Sequence, residues 1–400
     1  MFLEKFLANR LNRSFTNDGI HFVDKNGNEY IVGNPKKTPP VKIKFKKSST
    51  ALKLLIRPEL YFGECYMNGD ILIENGELSD ALKIVCSNIE INKNKIDKLF
   101  SKILSPIGII FSKVNTISIS KKNVAHHYDL SNDLYKKFLD KKMQYSCAYF
   151  DTDTDSLETA QNNKINHIIN KLQINSSCNV LDIGSGWGGL SLEIAKRTGA
   201  SVTGITLSER QYEYSNEKAQ KDNMSNKVEY KLMDYRNIND KFDRIVSVGM
   251  FEHVGLSYYK TYFKSISKLL TNDGISLIHT IGSTRNPAPV SPWILKYIFP
   301  GGYIPSLSEV APVIEKSELI LSDLEVLRHH YAKTLEHWKD NFLAHKEHII
   351  DEFDEKFIRM WEYYLSSCEC AFLYRGAVVF QFLLSKNILT VPITRKYLYN

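Results

Sequence analysis

The stretch VLDIGSGWGG, residues 180–189, decides the fold of this 400-residue chain. Val180, Leu181 and Ile183 are typical of the end of a buried strand, and the four glycines that follow let the backbone turn tightly into a helix. Such a turn leaves room for a flat ligand against bare backbone. The GxGxG spacing differs from the dinucleotide GxGxxG, and the lysine of a phosphate-binding loop is missing. We therefore predict a different, nucleotide-like cofactor here.

Helices alternate with buried strands on both sides of this turn. Strands joined by helical crossovers predict an α/β fold with a parallel, doubly wound, Rossmann-like sheet. Ligands of such sheets bind beyond the carboxyl ends of the strands. The predicted strands span residues 178–183, 201–206, 228–232, 243–249 and 274–280.

The ends of these strands select the candidate site residues, which are Asp182, Thr206, Asp234, Gly249 to His253 and His279 to Gly282. We expect all of them to line one crevice. Asp182 either contacts the cofactor or caps the turn by accepting from backbone N–H groups. Gln211 is equally open, since Ser208 and Gln211 also fit a helix capping box.

Length and charge predict two domains. A chain of 400 residues exceeds what one core usually supports. Residues 1–122 hold 20 Lys and Arg against 12 Asp and Glu, so the basic excess is N-terminal. We predict a small basic α+β domain over residues 1–117, a polar linker containing Pro106 and Gly108, and the α/β domain over residues 118–400. Apart from terminal helices at Phe2–Leu11 and Leu78–Ile89, strands and turns are expected in the first domain.

A run of lysines lies between residues 36 and 47 of the predicted N-terminal domain. It could meet an anionic surface such as phospholipid headgroups. It could equally guard an edge strand, because Val41, Ile43 and Phe45 alternate with lysines. The two interpretations are compatible.

The chain carries neither an apolar run long enough for a membrane span nor a secretory signal, so we expect a cytoplasmic protein. Its six cysteines are too few and too irregular for a disulfide framework, and none has the spacing of a zinc site. We predict no metal. Residues 123–400 have no basic excess to follow phosphates, which argues against nucleic acid as a partner.

Seven segments together resemble the cyclopropane-fatty-acyl-phospholipid synthases, a family of S-adenosylmethionine-dependent lipid-modifying enzymes that includes mycolic acid cyclopropane synthases and methyltransferases. They occur in the order found in that family and cover about residues 120–385. The resemblance implies a class I methyltransferase fold. The segments are HHYDLSNDLYKKFLD (126–140), MQYSCAYF (143–150), VLDIGSGWGGL (180–190), GITLSERQ (204–211), FDRIVSVGMFEHVG (242–255), LIHTIGS (277–283) and PWILKYIFPGGYIPS (292–306).

Two sets of site residues follow from this resemblance. In the family, the S-adenosyl-L-methionine pocket is formed by positions that match Tyr145, Ser146, Gly184, Gly186, Gly188, Thr206, Leu207, Gln211, Asp234, Tyr235 and Arg236; Asp182, at the end of the first strand, completes our predicted set. Bicarbonate is implied as the base, held by positions that match Cys147, Glu252, His279, Ile281 (through its backbone) and Tyr331.

The chemistry explains why a base is needed. An alkene that attacks the sulfonium methyl becomes a carbocation, and the new methyl must lose a proton before the ring can close. A carboxylate or thiolate beside the cation could itself be alkylated, so a small bound anion is a safer proton acceptor. A base and walls that exclude water are therefore expected.

The resemblance implies an enzyme that adds a methylene group across the cis double bond of an unsaturated acyl chain in membrane phospholipid. It would visit the inner face of the membrane transiently, and a homodimer through the N-terminal accessory domain is plausible. Two alternatives stay open: a lipid C-methyltransferase that makes methyl-branched or hydroxylated chains, and a non-catalytic lipid-binding protein. The segment 292–305 would cover an acyl-chain tunnel or form a buried connector, and an apolar stripe from Ile349 to Leu365 is expected to pack against the sheet.

Overall fold

A computed structural model describes residues 2–91 and 130–399. The domain boundary predicted at residues 117–118, with the linker residues Pro106 and Gly108, lies outside these residues. The chain forms two compact units. Unit 1 comprises Met1–Gly108, Val290–Ile298 and Leu335–Gly376, and unit 2 comprises Ile109–Pro289, Phe299–Thr334 and Ala377–Asn400. The units therefore differ from the two domains that a single cut would make.

The α-helices of the described residues are α1 (Phe2–Asn12), α2 (Ser49–Ile56), α3 (Pro58–Met67), α4 (Leu78–Ile91), α5 (Asn132–Phe138), α6 (Leu157–Leu172), α7 (Gly189–Thr198), α8 (Glu209–Lys221), α9 (Tyr259–Leu269), α10 (Pro292–Tyr297), α11 (Leu307–Glu315), α12 (His330–Ala344), α13 (Lys346–Ile350) and α14 (Glu355–Tyr374). Within these residues, every helix is too short or too polar to cross a bilayer.

The strands are β1 (Ile20–Val23), β2 (Glu29–Val32), β3 (Lys42–Phe45), β4 (Ile71–Asn75), β5 (Asn179–Ile183), β6 (Ser201–Thr206), β7 (Val228–Leu232), β8 (Phe242–Val248), β9 (Leu270–Ser283), β10 (Ile320–Leu327) and β11 (Ala377–Ser385). Short 3-10 helices span Tyr235–Asn237, Phe251–His253, Leu256–Tyr258 and Arg395–Tyr399.

Unit 1 contains a four-stranded sheet in the order β2-β1-β3-β4. The edge-strand interpretation of the lysine run is wrong, because β3 pairs with β1 on one side and with β4 on the other. The alternation reflects one buried face, carrying Ile43 and Phe45, and one solvated face. On that solvated face Lys42 and Lys44 form ion pairs with Glu29 and Glu74.

Helices account for more of unit 1 than the sequence pattern predicts. Terminal helices α1 and α4 are confirmed, but residues 49–67, expected as strands and turns, form α2 and α3. The apolar stripe on α14 packs against α3 and α4 of unit 1, so its predicted packing against the large sheet is wrong. In α10, the fully buried Trp293 contacts Tyr363 with ring centroids 4.6 Å apart, which anchors α10 in unit 1.

Unit 2 is built on a seven-stranded sheet in the order β10-β11-β9-β8-β5-β6-β7. The five predicted strands are present, and they pair in parallel from β7 to β9. The prediction omitted β10 and β11, and β11 runs antiparallel to both of its neighbours. Apolar residues of α6 and α7 cover one face of the sheet and those of α9 and α11 the other, which explains the doubly wound pattern.

Candidate active site

The glycine turn after β5 has the geometry that its sequence predicts. Gly184, Gly186 and Gly188 have φ angles of 84°, 56° and 82°, values that side chains other than glycine rarely adopt. Gly188 begins α7 as its N-cap residue, and a Cβ atom there would lie 2.4 Å from Tyr230 Oη. The same hydroxyl donates to the Gly188 carbonyl at 2.7 Å. The turn is thus fixed by backbone conformation and by close packing.

A cavity opens beside this turn, within unit 2. All of the residues predicted to bind the cofactor line this cavity except Gly188, which lies at the start of α7. The carboxyl end of β9 does not contribute to this lining, although it was expected in the same crevice. The predicted residues that line the cavity are Tyr145, Ser146, Asp182, Gly184, Gly186, Thr206, Leu207, Gln211, Asp234, Tyr235 and Arg236.

Asp182 lies fully buried at the floor of the cavity. Its Oδ2 atom accepts from Ser191 Oγ at 2.6 Å, whereas the N–H groups of Gly184 and Ser185 donate to the Ile205 carbonyl. The predicted alternative in which Asp182 caps the turn is therefore wrong. Burial raises the pKa of Asp182 to about 6, so the carboxyl group is poised to change its charge with small changes in its surroundings.

The segment 206–211 forms one half of the predicted capping box, and the Gln211 side chain lines the cavity. Ser208 Oγ accepts from the Gln211 backbone N–H at 3.3 Å, as a helix cap does. The Gln211 side chain turns to the cavity instead, where its Oε1 accepts from Thr206 Oγ1 at 2.9 Å. Its amide nitrogen remains available as a donor beside the glycine turn.

Asp234 and Arg236 form an ion pair at the cavity wall. The guanidinium Nε donates to Asp234 Oδ1 at 2.7 Å, and a second guanidinium nitrogen donates to Oδ2 at 2.7 Å. Asp234 also accepts from the Arg236 backbone N–H, which starts the 3-10 helix there. The pair fixes a rigid, charged rim on this side of the cavity.

Sequence reasoning named neither Gln144 nor Trp187 among the lining residues, whereas Met250 and His253 fall within the predicted strand-end range Gly249 to His253. Trp187 lies inside the glycine motif itself, and its Nε1 donates to Asn132 Oδ1 at 2.8 Å. His253 follows the predicted Glu252 directly, and burial lowers its pKa to about 4, so the ring is neutral. Gln144 precedes the predicted Tyr145, and Trp187 lies between Gly186 and Gly188, so adjacency to predicted residues was the signal that could have found both.

The second predicted cluster is centred on the end of β9. Glu252 Oε1 accepts from the Ile281 backbone N–H at 2.6 Å, and His279 lies two residues earlier on the same strand. Glu252 Oε2 and His279 Nε2 are buried and have no hydrogen-bond partner among the described residues. Buried polar atoms of this kind are costly unless something binds them. Each of the two atoms could therefore be satisfied by a small polar ligand.

Cys147 and Tyr331 are placed by a neighbouring contact. Ala148, next to the fully buried Cys147, donates its N–H to Thr334 Oγ1 at 3.0 Å, so α12, which carries Tyr331, lies against this segment. Burial raises the pKa of the Cys147 thiol well above its ordinary value, so the sulfur is protonated. It donates to the Ala148 carbonyl at 3.3 Å, and no direct hydrogen bond links it to Glu252 or His279.

No group of three or more His, Cys, Asp or Glu side chains within residues 2–91 and 130–399 is arranged to hold a metal ion. The ionisable groups of the site are instead buried, and burial shifts their pKa values. Burial raises the pKa of Glu252 from its ordinary 4.5 to about 7, against the lowering effect of the Ile281 N–H group. The proton affinity of Glu252 therefore lies in the range where a group can exchange protons near neutral pH.

This shift predicts a pH-dependent stability. Because the folded pKa is raised, the contribution of Glu252 to stability is complete below pH 4.5 and is lost as the pH rises through about 7. Glu252→Gln cannot ionise, so its gain in unfolding free energy over the unmodified protein should grow by about 2 kcal/mol between pH 5 and pH 8. Chemical denaturation at the two pH values measures this, and an equal difference at both would contradict it.

The chain matches two family models. One, described as mycolic acid cyclopropane synthetase, matches residues 116–382, and the other, described as Domain of unknown function (DUF7884), matches residues 2–95. The first match spans all of the predicted site residues. It also includes segments that belong to different compact units, such as Val290–Ile298 of unit 1 and Phe299–Thr334 of unit 2.

Curated relatives match most of the chain. It is 38% identical over 353 residues to the cyclopropane-fatty-acyl-phospholipid synthase of Escherichia coli (strain K12), an alignment that covers 87% of this chain and 89% of the relative. It is 33% identical over 349 residues to the tuberculostearic acid methyltransferase UfaA1 of Mycobacterium tuberculosis (strain ATCC 25618 / H37Rv), covering 82% of this chain and 78% of the relative.

Solved structures share the fold. The cyclopropane synthase MmaA2 from Mycobacterium tuberculosis superimposes with a TM-score of 0.64 and 31% identity, covering 71% of this chain and 100% of that one. The mycolic acid cyclopropane synthase CmaA1, complexed with SAH and CTAB, gives a TM-score of 0.63 and 32% identity, covering 66% and 97%. The predicted class I methyltransferase fold is confirmed, and the chain belongs to the mycolic acid cyclopropane synthetase family.

Proposed function

We propose that this enzyme transfers a methylene group from S-adenosyl-L-methionine to the cis double bond of an unsaturated acyl chain in membrane phospholipid, forming a cyclopropane ring. The observation that carries the proposal is the coexistence in unit 2 of a cofactor cavity and a second buried polar cluster. The relative with 38% identity is a cyclopropane-fatty-acyl-phospholipid synthase, which supports the same substrate class.

The cavity residues suit S-adenosyl-L-methionine. Bare backbone at Gly184 and Gly186 allows close approach, and a Cβ atom at Gly186 would have nothing nearer than Gln211 Nε2 at 4.0 Å. Asp182, the Thr206–Gln211 pair and Asp234 offer polar atoms to the ribose and amino acid parts of such a ligand. Apolar walls, including Ile183, Leu207 and Met233, suit the adenine ring.

In the reaction, an alkene carbon attacks the sulfonium methyl, the carbon–sulfur bond breaks and S-adenosylhomocysteine leaves. The resulting carbocation loses a proton from the new methyl, and that electron pair closes the ring. A buried site favours this step, because water that reached the carbocation would convert it to an alcohol. Cys147, protonated and fully buried, is a poor nucleophile and so resists alkylation by the cation.

Bicarbonate fits the second cluster as the proton acceptor. Glu252 Oε2 can accept a hydrogen bond and His279 Nε2 can donate one, so a small anion with one hydroxyl that reached both buried atoms would satisfy them. Bound bicarbonate supplies a base that is not attached to the chain. Glu252, with a pKa raised to about 7, would be the group of the chain that can hold a proton beside such a base near neutral pH. Ile281, whose backbone N–H group holds Glu252 Oε1, and Tyr331 would complete the site.

Product analysis tests the function. Incubation with methyl-labelled S-adenosylmethionine and vesicles of unsaturated phospholipid should yield acyl chains heavier by one CH₂ and free of the double bond. Absence of labelled lipid would refute the proposal. The second candidate, a lipid C-methyltransferase, is favoured by the 33% identity to a tuberculostearic acid methyltransferase. A methyl-branched or hydroxylated product under the same conditions would establish it instead.

We propose further that unit 1 attaches the enzyme to the membrane surface. Helices α1 and α2 pack together and expose Phe2 (82%), Phe6 (51%), Leu52 (44%) and Ile56 (64%), each pair four residues apart on its helix. Exposed Lys5 lies on α1 and exposed Arg57 directly follows α2, while exposed Lys46 lies between β3 and α2. An apolar patch among cations is the pattern that binds anionic bilayers.

The double variant Phe6→Ser, Ile56→Ser should bind vesicles of phosphatidylglycerol at least about tenfold more weakly, because losing about 1.4 kcal/mol of apolar insertion has that effect. The matched control is Leu389→Ser, Ile393→Ser, which removes two side chains exposed by 85% and 103% from unit 2. Cosedimentation measures both variants. Equal weakening by the two pairs would contradict a specific surface on unit 1.

A further inference from the structure

A row of polar side chains crosses three strands of the large sheet. In the antiparallel register, Glu325 on β10 lies opposite Gln381 on β11, and Gln381 lies opposite His279 on β9. Residues that are directly opposite each other share one face of a sheet. Gln381 is fully buried in β11, whose nine residues, AVVFQFLLS, are all buried. An amide among apolar side chains is costly unless both of its ends are hydrogen-bonded.

Helix α6 covers this face and supplies two nitrogen-bearing side chains to the row. His167 and Lys171, four residues apart, lie on the same side of the helix. His167 Nε2 lies 2.6 Å from Glu325 Oε2, and Lys171 Nζ donates to the same oxygen. Lys171 also donates to Gln381 Oε1 at 2.7 Å, and it is fully buried. Lys171 thus joins the carboxylate at one end of the row to the amide in its middle.

The donor and acceptor roles in this row are determined by Lys171. An ammonium group has only donors, so the oxygen of Gln381 must face it and the amide nitrogen must face His279. Gln381 Nε2 lies 3.0 Å from His279 Nδ1. Since Nε2 of the amide donates, His279 Nδ1 must accept. Burial, followed by the charges of Lys164 and Lys171, lowers the pKa of His279 well below its ordinary value. The ring is neutral, and its one proton lies on Nε2.

We propose that Gln381, oriented by Lys171, is a positioning residue that fixes His279 as its Nε2–H tautomer, so that the ring offers a hydrogen-bond donor at the buried nitrogen that has no partner among the described residues. The assignment of a bicarbonate oxygen as the acceptor rests on the proposed function. The tautomer itself does not. In this form His279 cannot take the proton that the reaction releases, and this step is left to the anion and Glu252.

The unmodified protein tests the tautomer directly. In ¹⁵N-histidine-labelled protein, NMR should show His279 with a protonated Nε2 and an unprotonated Nδ1, with its signals identified by their loss in His279→Asn. A proton on Nδ1, or an imidazolium, would overturn the proposal. This measurement needs neither cofactor nor lipid. If the protein shows the Nε2–H form but makes no labelled lipid, the proposed function fails and the tautomer assignment stands.

Gln381→Glu tests the positioning role. The new carboxylate keeps an acceptor toward Lys171 but places a second acceptor against His279 Nδ1, which must then carry a proton. We expect the NMR signature to change accordingly and kcat to fall about 10²-fold or more, with the S-adenosylhomocysteine Kd and the lipid KM within about twofold. Lys171→Met, which frees the amide to rotate, should give a mixture of tautomers and a smaller loss of kcat.

The matched control is Ser385→Ala, which changes a second fully buried polar side chain of β11 whose hydroxyl lies 2.8 Å from Ser322 Oγ. It should leave the His279 tautomer and kcat unchanged. An unaltered kcat in Gln381→Glu despite a changed tautomer would overturn the positioning role. So would an equal loss of kcat in Ser385→Ala, because the loss would then reflect disturbed packing of the strand.

Discussion

Replacing Glu252 with Gln is expected to lower the rate of cyclopropane formation by about 10²- to 10⁴-fold, the range that general bases contribute. The amide keeps an acceptor for the Ile281 N–H group, so the local structure should persist. It cannot take a proton, however, and it presents a donor or a weaker acceptor where the carboxylate has its free Oε2. Turnover of labelled S-adenosylmethionine measures the loss, and calorimetry should show unchanged binding of S-adenosylhomocysteine.

The matched control is Glu369→Gln in unit 1. Glu369 is also buried, and its Oε2 atom also has no partner among the described residues. It differs from Glu252 in that it forms an ion pair with Lys83, a residue of unit 1 outside the predicted site. We expect this variant to retain its turnover. If both variants lost activity equally, or if Glu252→Gln lost cofactor binding, the assignment of Glu252 to proton transfer would be wrong.

The second large effect is expected from Gly188→Ala. A residue with a side chain at φ 82° costs about 1 kcal/mol or more, and the new methyl would overlap Tyr230 Oη and the Ser215 side chain. Relief requires the start of α7 to move, which shifts the glycine turn against the cofactor. We expect a loss of about 2 to 5 kcal/mol in unfolding free energy. Binding of S-adenosylhomocysteine should weaken at least about tenfold, by about 1.4 kcal/mol.

Gly27→Ala separates the two causes. Gly27 has a φ angle of 85°, nearly that of Gly188, but a Cβ atom there would meet nothing within 4 Å. The backbone penalty is therefore the same and the clash is missing, so we expect a loss of about 1 kcal/mol and normal cofactor binding. Similar losses in the two variants would show that packing against Tyr230 does not hold the turn.

Most of the cofactor cavity could be predicted because its residues lie at strand ends or next to a motif. Asp182 and Thr206 lie at the ends of β5 and β6 and Asp234 follows β7, and parallel strands bring those ends to one edge. The end of β9 did not join the same cavity. Its register with β8 places the His279 carbonyl opposite the Gly249 N–H, and Glu252 bonds to Ile281 beyond it.

Other features could not be read from local patterns. The alternation around Ile43 is the same for an edge strand and for a central strand with one solvated face, so only the pairing of β3 decides between them. The stripe on α14 shows that one face is buried, but not which surface buries it. The polar row at Gln381 depends on the register of two strands that the pattern of alternating helices and strands does not reveal.

The close packing of α3, α10 and α14 also bears on biosynthesis. A Cβ atom at Gly63 would lie within 2.7 Å of both Trp293 and Tyr363, each of which is more than two hundred residues further along the chain. On the ribosome, Gly63 emerges long before its partners have been translated. The apolar surface around Gly63 therefore stays exposed until the residues up to Tyr363 have been synthesised. Chaperone binding to the nascent chain would protect that surface until residue 376 has emerged.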